Sequence, residues 1–477
     1  MKLNTNSGLI RQLGLFDSAM IMAGIVIGSG IFLTTGIMAK SLPSASLILL
    51  AWLVGGLITL AGALTYAELG ASLPHAGGQY VYLREAFGPV FGFLFGWMMF
   101  LVYMTGGIAV LAVAFAEYTG YFFPRLSLEN ILFEINLNIL GSAVKIPFSA
   151  GKLVGVGVIF FLSIIIMMGT RFGKIIQNFF TVIKIGVLLG IIVLGFTLGK
   201  GTSIDFSLNP TGLSFGTIVS GFGLALVAIF WAFDGWNNVT FVAGEIKNPQ
   251  RNIPLALVYG ALLVTLLYVL VNCIYLYALP IDQMAGEARI AEKATTVLFG
   301  GTTAAVISAI ILVSVFGSIN GSILTGPRVY YAMAKDGFFF KIAARIHPKF
   351  RTPALSILIQ AIWAGILTLS GTFEQLFTYV IFVSIIFWIF AAVSVFILRK
   401  KFPDLPRPYK VWGYPVVPLL FIITSLGILI NTIVEKPLES LAGLGFTLLG
   451  IPVFWLWRRK TVGNWQLAVG KEEEKKR

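Results

Sequence analysis

The chain has one cysteine, Cys273, and two histidines, His75 and His347, among 477 residues. A single thiol excludes an intramolecular disulfide, and Cys273 lies inside an apolar run where it cannot tether a partner subunit. Neither histidine stands beside the cysteine, serine or carboxylate groups that a hydrolase or metal site needs. No enzyme chemistry and no cofactor are therefore expected. Charge is also scarce: only 11% of the residues are charged, well below the share in soluble domains. The Gly77-Gly78 pair lacks the lysine and hydroxyl of a phosphate-binding loop. With no ATP-binding unit, active pumping is not expected. No small-residue cleavage pattern follows the polar start Met1 to Asp17, so no signal peptide is predicted.

Apolar residues fill the space: 57% of the chain is hydrophobic and its mean hydropathy is +0.91. Runs of about 20 apolar residues, enough to cross a bilayer, recur throughout. We place twelve spans at 15–39, 44–71, 89–116, 152–170, 178–198, 215–243, 255–279, 301–334, 354–371, 375–399, 415–434 and 440–459. The loop 117–151 shows no strong period, and the charge run Gly470 to Arg477 reads as a solvated end. The net charge of +14 could suggest a nucleic-acid partner. Its placement argues otherwise. With twelve spans and a cytoplasmic N-terminus, 25 of the 34 Lys and Arg fall inside, which is the positive-inside bias of membrane proteins. Both termini are then cytoplasmic, the expected location is the plasma membrane, and no nucleic acid is implied.

Two spans carry breaks. The first holds Gly24-Ile25-Val26-Ile27-Gly28-Ser29-Gly30-Ile31-Phe32 and the sixth holds Trp231-Ala232-Phe233-Asp234-Gly235-Trp236-Asn237-Asn238. Interrupted helix at bilayer depth survives only where it lines a cavity. Matching breaks in two halves point to a transporter substrate site. Five spans precede the sixth, so the second unit runs inverted relative to the first. The predicted fold is an all-α membrane protein of LeuT type: a 5+5 inverted repeat over 15–199 and 215–400, helices eleven and twelve over 401–459, and a tail at 460–477.

At the first break, the half-helix starting near Ser29 would offer N–H groups and a positive dipole end to a carboxylate. Gly24 and Gly28 also fit a small-xxx-small packing pair. At the second, Asp234 is an ionisable group at mid-membrane depth, and carbonyls around Trp231 to Asp234 would suit an ammonium. Asp234 equally fits a helix N-cap. Trp231 and Trp236 fit lipid-facing or core rings, and Trp231 also fits a gate. One anion cradle beside one cation cradle describes an amino acid. Lys184, six residues past Asn178, lies roughly 9–10 Å into its span. It either snorkels to the surface or turns inward, towards carbonyls of the first break and span-eight hydroxyls. Those are Ser314, Ser318, Ser322 and Thr325. Inward, the fixed ammonium would occupy the room of a coupling sodium ion.

Further motifs frame these spans. They are Tyr66-Ala67-Glu68-Leu69-Gly70, Pro74-His75-Ala76-Gly77-Gly78-Gln79-Tyr80 and Leu83-Arg84-Glu85-Ala86-Phe87-Gly88. Gly244-Glu245-Ile246-Lys247-Asn248-Pro249 follows span six, and Phe316-Gly317-Ser318-Ile319-Asn320-Gly321-Ser322 lies in span eight. With the two breaks, these resemble the amino acid–polyamine–organocation superfamily, closest to the L-type amino-acid transporters and their bacterial relatives, from about Leu15 to Pro415. The resemblance implies that Ser29 and Gly30 bind the substrate carboxylate. It implies that the carbonyls of Val26, Trp231 and Asp234 face its amino group. Trp231 would then be the outer gate, Trp388 a pocket aromatic, and Lys184 a stand-in for sodium beside Ser318 and Ser322. Sodium-independent exchange of neutral amino acids is the resulting expectation. Asp234 replaces a glycine of some members and could admit cationic side chains. Animal members join a single-span glycoprotein through a cysteine after span three; residues 117–151 contain none. Alternative readings are proton-coupled uptake of amino acids or polyamines, through Lys184 or Asp234, and a substrate-gated channel or membrane sensor.

Overall fold

The computed structural model describes residues 8–139, 142–208, 212–287, 289–301, 303–370 and 373–474. Among these, eleven helical stretches are long and apolar enough to cross a membrane. The expected ninth span is an apolar helix of 17 residues, Ala354–Ser370. The protein is a predominantly helical, multi-pass membrane protein.

Both predicted breaks are present. Span one is α1 (Leu15–Val26) and α2 (Gly30–Ser41), separated at residues 27–29. Then come α3 (Ala45–Ser72), a short α4 (Gln79–Phe87), and α5 (Pro89–Met98) joined to α6 (Met104–Phe122) by a π-helical turn, Met99–Tyr103. Next follow α7 (Ala150–Met167) and α8 (Thr170–Leu198). Span six is α9 (Phe215–Ala232), an unwound turn, and a 3-10 helix, Asn238–Glu245. The second half of that span is thus not α-helical as expected. The remaining helices are α10 (Pro249–Ala278), α11 (Ile281–Met284), α12 (Ile290–Phe299), α13 (Thr303–Thr325), α14 (Pro327–Lys335), α15 (Ala354–Ser370), α16 (Phe373–Lys401), α17 (Val416–Glu435) and α18 (Pro437–Glu474). Serine hydroxyls cap several starts: Ser44 accepts from Leu47 N–H and Ser214 from Thr217 N–H, each satisfying an orphan donor.

Three expectations change. The loop 117–151 carries an antiparallel hairpin, β1 (Ile131–Ile139) with β2 (Ser142–Ser149), so the fold is not purely α. Phe133 pairs with Phe148 and their rings stack at 4.7 Å. Span five begins at Thr170, eight residues before its predicted start, because Gly169 ends the preceding turn and polar residues such as Lys174 and Gln177 are helical all the same. Finally, α18 runs on to Glu474, so 460–474 continues helix twelve; residues 475–477 of the predicted solvated end lie outside the described residues.

Span one is the centre. Its most apolar window is 89% buried, against 28% for the two C-terminal spans, whose large apolar side chains remain on the outside as lipid contact requires. α1 packs against α8, α10 and α13, while α2 packs against α9. The two breaks therefore meet inside the bundle.

Candidate functional site

Unwinding frees particular backbone groups, and these define the first break. Within an unbroken helix the Gly24 carbonyl would accept from Gly28 N–H, but that N–H turns to Val26 O at 2.7 Å. Gly24 O instead accepts from Lys184 Nζ at 2.6 Å, and the same ammonium donates to Ser318 Oγ at 2.8 Å. Ser314 Oγ donates to Ile27 O at 3.0 Å. Lys184 is 2% exposed, and fourteen residues into α8 it sits about 21 Å from the helix start. It does not snorkel. Ser322, expected beside it, lies one turn further on and lines the cavity described below; Thr325 bonds within its own helix to Gly321 O. The packing reading of the glycines holds alongside: a Cβ on Gly24 would stand 2.0 Å from Thr181 Oγ1 of α8.

The second break is held differently. Trp231 O accepts from Asp234 N at 3.0 Å, and Asn238 N donates to Gly235 O at 3.0 Å across a left-handed Gly235 (φ 89°). Asn237 is the cap of the 3-10 helix, so Asp234 does not cap it. The Asp234 carboxylate accepts from Tyr103 Oη at 2.9 Å instead. Asn237 Nδ2 donates to Gln79 Oε1 at 2.8 Å, and Gln79 Nε2 donates to Phe387 O at 2.8 Å. The Gly-Gly-Gln-Tyr segment thus braces the break from the loop before span three. Tyr103 ends the π-helical turn, a local widening that often marks functional sites.

Between the breaks lies a small cavity. Val26, Ser29, Gly30, Trp231, Asp234 and Ser322 all line it, with Tyr103 and Asn238 added by the structure. Ser29 Oγ and Asn238 Oδ1 are buried there without a protein partner, a costly arrangement unless a solute or water completes it. No side chain caps the start of α2 at Ser29. One wall of the cavity therefore offers a hydroxyl and a helix N-terminus, suited to a carboxylate; another offers a carboxylate, suited to a cation. Two expected groups differ. The Val26 carbonyl already accepts two donors, Gly28 N at 2.7 Å and Tyr268 Oη at 2.8 Å, which fills its lone pairs. Trp388 does not reach the cavity. Trp236 and Phe230 meet its ring edge-on at 5.8 and 5.9 Å, and it lines a smaller space that shares Tyr103.

The loop motifs tie the ends of the spans. Glu245 and Arg328, both fully buried, pair at 2.6 Å, with Thr170 Oγ1 accepting from Arg328 at 3.0 Å. Glu68 receives Arg399 at 2.8 and 2.6 Å and Val411 N at 2.7 Å. Arg84 pairs with Asp336 and Glu85. Burial and the nearby Arg84 hold His75 below its ordinary value. At the far end, Gly286 N donates to Gly36 O at 2.8 Å, and the N–H of Arg289 and the Lys293 ammonium hold the Glu287 carboxyl low. No cluster of metal-ligating side chains occurs among the described residues.

Membrane-crossing helices around a polar cavity at two helix breaks define a multi-pass membrane transporter. The family model for amino acid permeases matches residues 13–456, and the chain belongs to that family. It is 33% identical over 459 residues to the serine/threonine exchanger SteT of Bacillus subtilis (strain 168), covering 95% of this chain and 98% of that protein. It is 30% identical to the b(0,+)-type amino acid transporter 1 of Mus musculus, covering 96% of this chain and 89% of that protein. It is also 30% identical to the large neutral amino acids transporter small subunit 2 of Homo sapiens, covering 95% and 82%. These relatives are transporters, not enzymes.

Proposed function

We propose that the chain is a secondary active transporter that exchanges neutral L-amino acids across the cell membrane without sodium. Alternating access would turn on the two broken helices. In this reading Ala354–Ser370 is the ninth of twelve crossings. Residues 15–199 and 215–400 form a LeuT-type pair of inverted repeats, 401–459 add helices eleven and twelve, and both termini are cytoplasmic. Ser29, Gly30 and the start of α2 take the carboxylate, the backbone carbonyls of Trp231 and Asp234 take the amino group, and the Trp231 ring is the outer gate. No disulfide-linked subunit is expected, since residues 117–151 hold no cysteine and Cys273 lies within the membrane-spanning α10.

The observation that carries the proposal is the Lys184 ammonium lodged between Gly24 O and Ser318 Oγ. A covalently attached cation there removes both the space and the need for a sodium ion. Exchange is tested in proteoliposomes: uptake of labelled serine or alanine rises when unlabelled amino acid is loaded inside. Uptake indifferent to internal substrate but driven by a pH jump would replace exchange with proton coupling, and unitary currents would replace it with a channel. Asp234 extends the range, because a buried carboxylate facing the cavity would also receive a cationic side chain. Competition by arginine tests that extension.

A further inference from the structure

Away from the polar cavity, one groove on the outside of the bundle joins an apolar lining to a basic rim. Leu255, Val258 and Tyr259 of α10 and Leu64 of α3 form the lining, and Gln250, Arg251, Pro408 and Tyr409 close one end. The apolar stripe continues past the groove. On α10, Leu255, Tyr259, Leu262 and Leu266 follow one helical face, and the last three are exposed. On α3, Leu57 is exposed one heptad from Leu64. The two helices lie in direct contact here, because a Cβ on Gly56 would collide with the Thr265 side chain. The stretch from Leu255 to Leu266 covers about 16 Å of helix, close to the roughly 15 Å hydrocarbon depth of one leaflet.

The polar end carries one sign of charge. No carboxylate lines the groove, and Arg251 is exposed, with no ion pair among the described residues. Glu68, one turn beyond Leu64, is already taken by Arg399 at 2.6 Å and Arg407 at 3.7 Å. A planar guanidinium left free at the edge of an apolar stripe matches the oxygens of a lipid phosphate.

We propose that this groove is a binding site for an anionic phospholipid. Its phosphate accepts from the Arg251 guanidinium, the Gln250 amide and the Tyr409 hydroxyl, and one acyl chain lies along Leu64, Leu255 and Tyr259 towards Leu266. In the topology proposed above this is the cytoplasmic leaflet. A zwitterionic headgroup is disfavoured because its ammonium meets no carboxylate in the groove. The occupant is a lipid, not a free phosphate, because most of the lining is apolar and its length matches a leaflet. α10 also packs against α1, which places the lipid one helix away from the first break. The inference requires only that the chain is embedded in a membrane, and holds whatever solute the cavity carries.

The test titrates the full-length protein, delipidated in detergent, with dioleoylphosphatidylglycerol and with dioleoylphosphatidylcholine. Binding is followed by native mass spectrometry and by thermal melting. Phosphatidylglycerol should bind about tenfold more tightly and raise the melting temperature further. Arg251→Gln should abolish most of that preference, the scale of one charge-assisted hydrogen bond. Leu255→Gln should weaken both lipids together. Arg345→Gln is the control: it removes an exposed arginine that does not line the groove, and should leave the preference intact. Melting without added lipid shows that each variant is folded. Equal affinity of wild-type protein for the two lipids overturns the proposal. So does an Arg345 variant that loses the preference as Arg251→Gln does, which would mean diffuse attraction to net charge. Equal stabilisation by glycerol 3-phosphate alone would also overturn it, by assigning the site to a free phosphate.

Discussion

The two breaks interrupt their helices for the same reason, and neighbouring residues complete them in opposite ways. At the first, the freed groups are closed by side chains from other helices: Lys184 and Ser318 on Gly24 O, Ser314 on Ile27 O. At the second, much of the backbone is closed by its own turn, and the polar side chains Asp234 and Asn238 face the cavity. In the function we propose, the first break is a cation site filled by Lys184, with the helix start that takes the substrate carboxylate beside it. The second is a reading surface whose side chains can vary without undoing the turn.

The largest effect expected from breaking this contrast comes from Lys184→Ala. It strips a buried carbonyl and a serine of a charged donor, two bonds of the stronger kind, and transport should fall on the order of 100-fold. The folded fraction, followed by size-exclusion chromatography, should survive; wild-type uptake by a folded variant would show that the first break needs no fixed cation. A smaller and more selective effect is expected at the second break. Asp234→Asn keeps a partner for Tyr103 but loses the charge. Inhibition by arginine should weaken on the order of tenfold, with alanine changing less. Equal loss for both would mean that the carboxylate serves the amino group alone.

The smallest effect concerns the loop bracing the second break. Because the folded-state value of His75 is lowered, the unfolded chain binds more protons as pH falls through the ordinary histidine range near 6.5. Stability contributed by the loop is thus present at neutral pH and declines in acid. His75→Gln should flatten that acid limb slightly in a thermal-melt series from pH 8 to 5. A limb unchanged in the variant would assign it to other groups.

Much of this contrast could be read from the residues. Glycine-rich Gly24 to Gly30 and the lone charges Lys184 and Asp234 stand out because helix breakers and ionisable groups are costly within a bilayer. The tyrosine contacts could not be read. Tyr103 and Tyr268 look like any aromatic in an apolar span, and the π-helical turn that presents Tyr103 has no local signature. Hydropathy alone sets Lys184 too shallow, because Arg171, Lys174 and Gln177 dilute the apolar signal of a helix that is nonetheless continuous from Thr170. The hairpin escaped for a different reason. Phe133, Ile135, Leu137 and Ile139 alternate with Glu134, Asn136 and Asn138, the period of two that marks a strand, and only the asparagines and Pro147, residue types that strands disfavour, argue against it. Trp388 matched a motif position, but Trp236 and Phe230 pack its ring outside the cavity.

The central claim is that Lys184 permanently fills the place of a coupling ion at the first break. It is tested most directly by measuring exchange of labelled amino acid in proteoliposomes with sodium on both sides and again with choline replacing it throughout. The account predicts equal initial rates in the two media. An absolute requirement for sodium would contradict it.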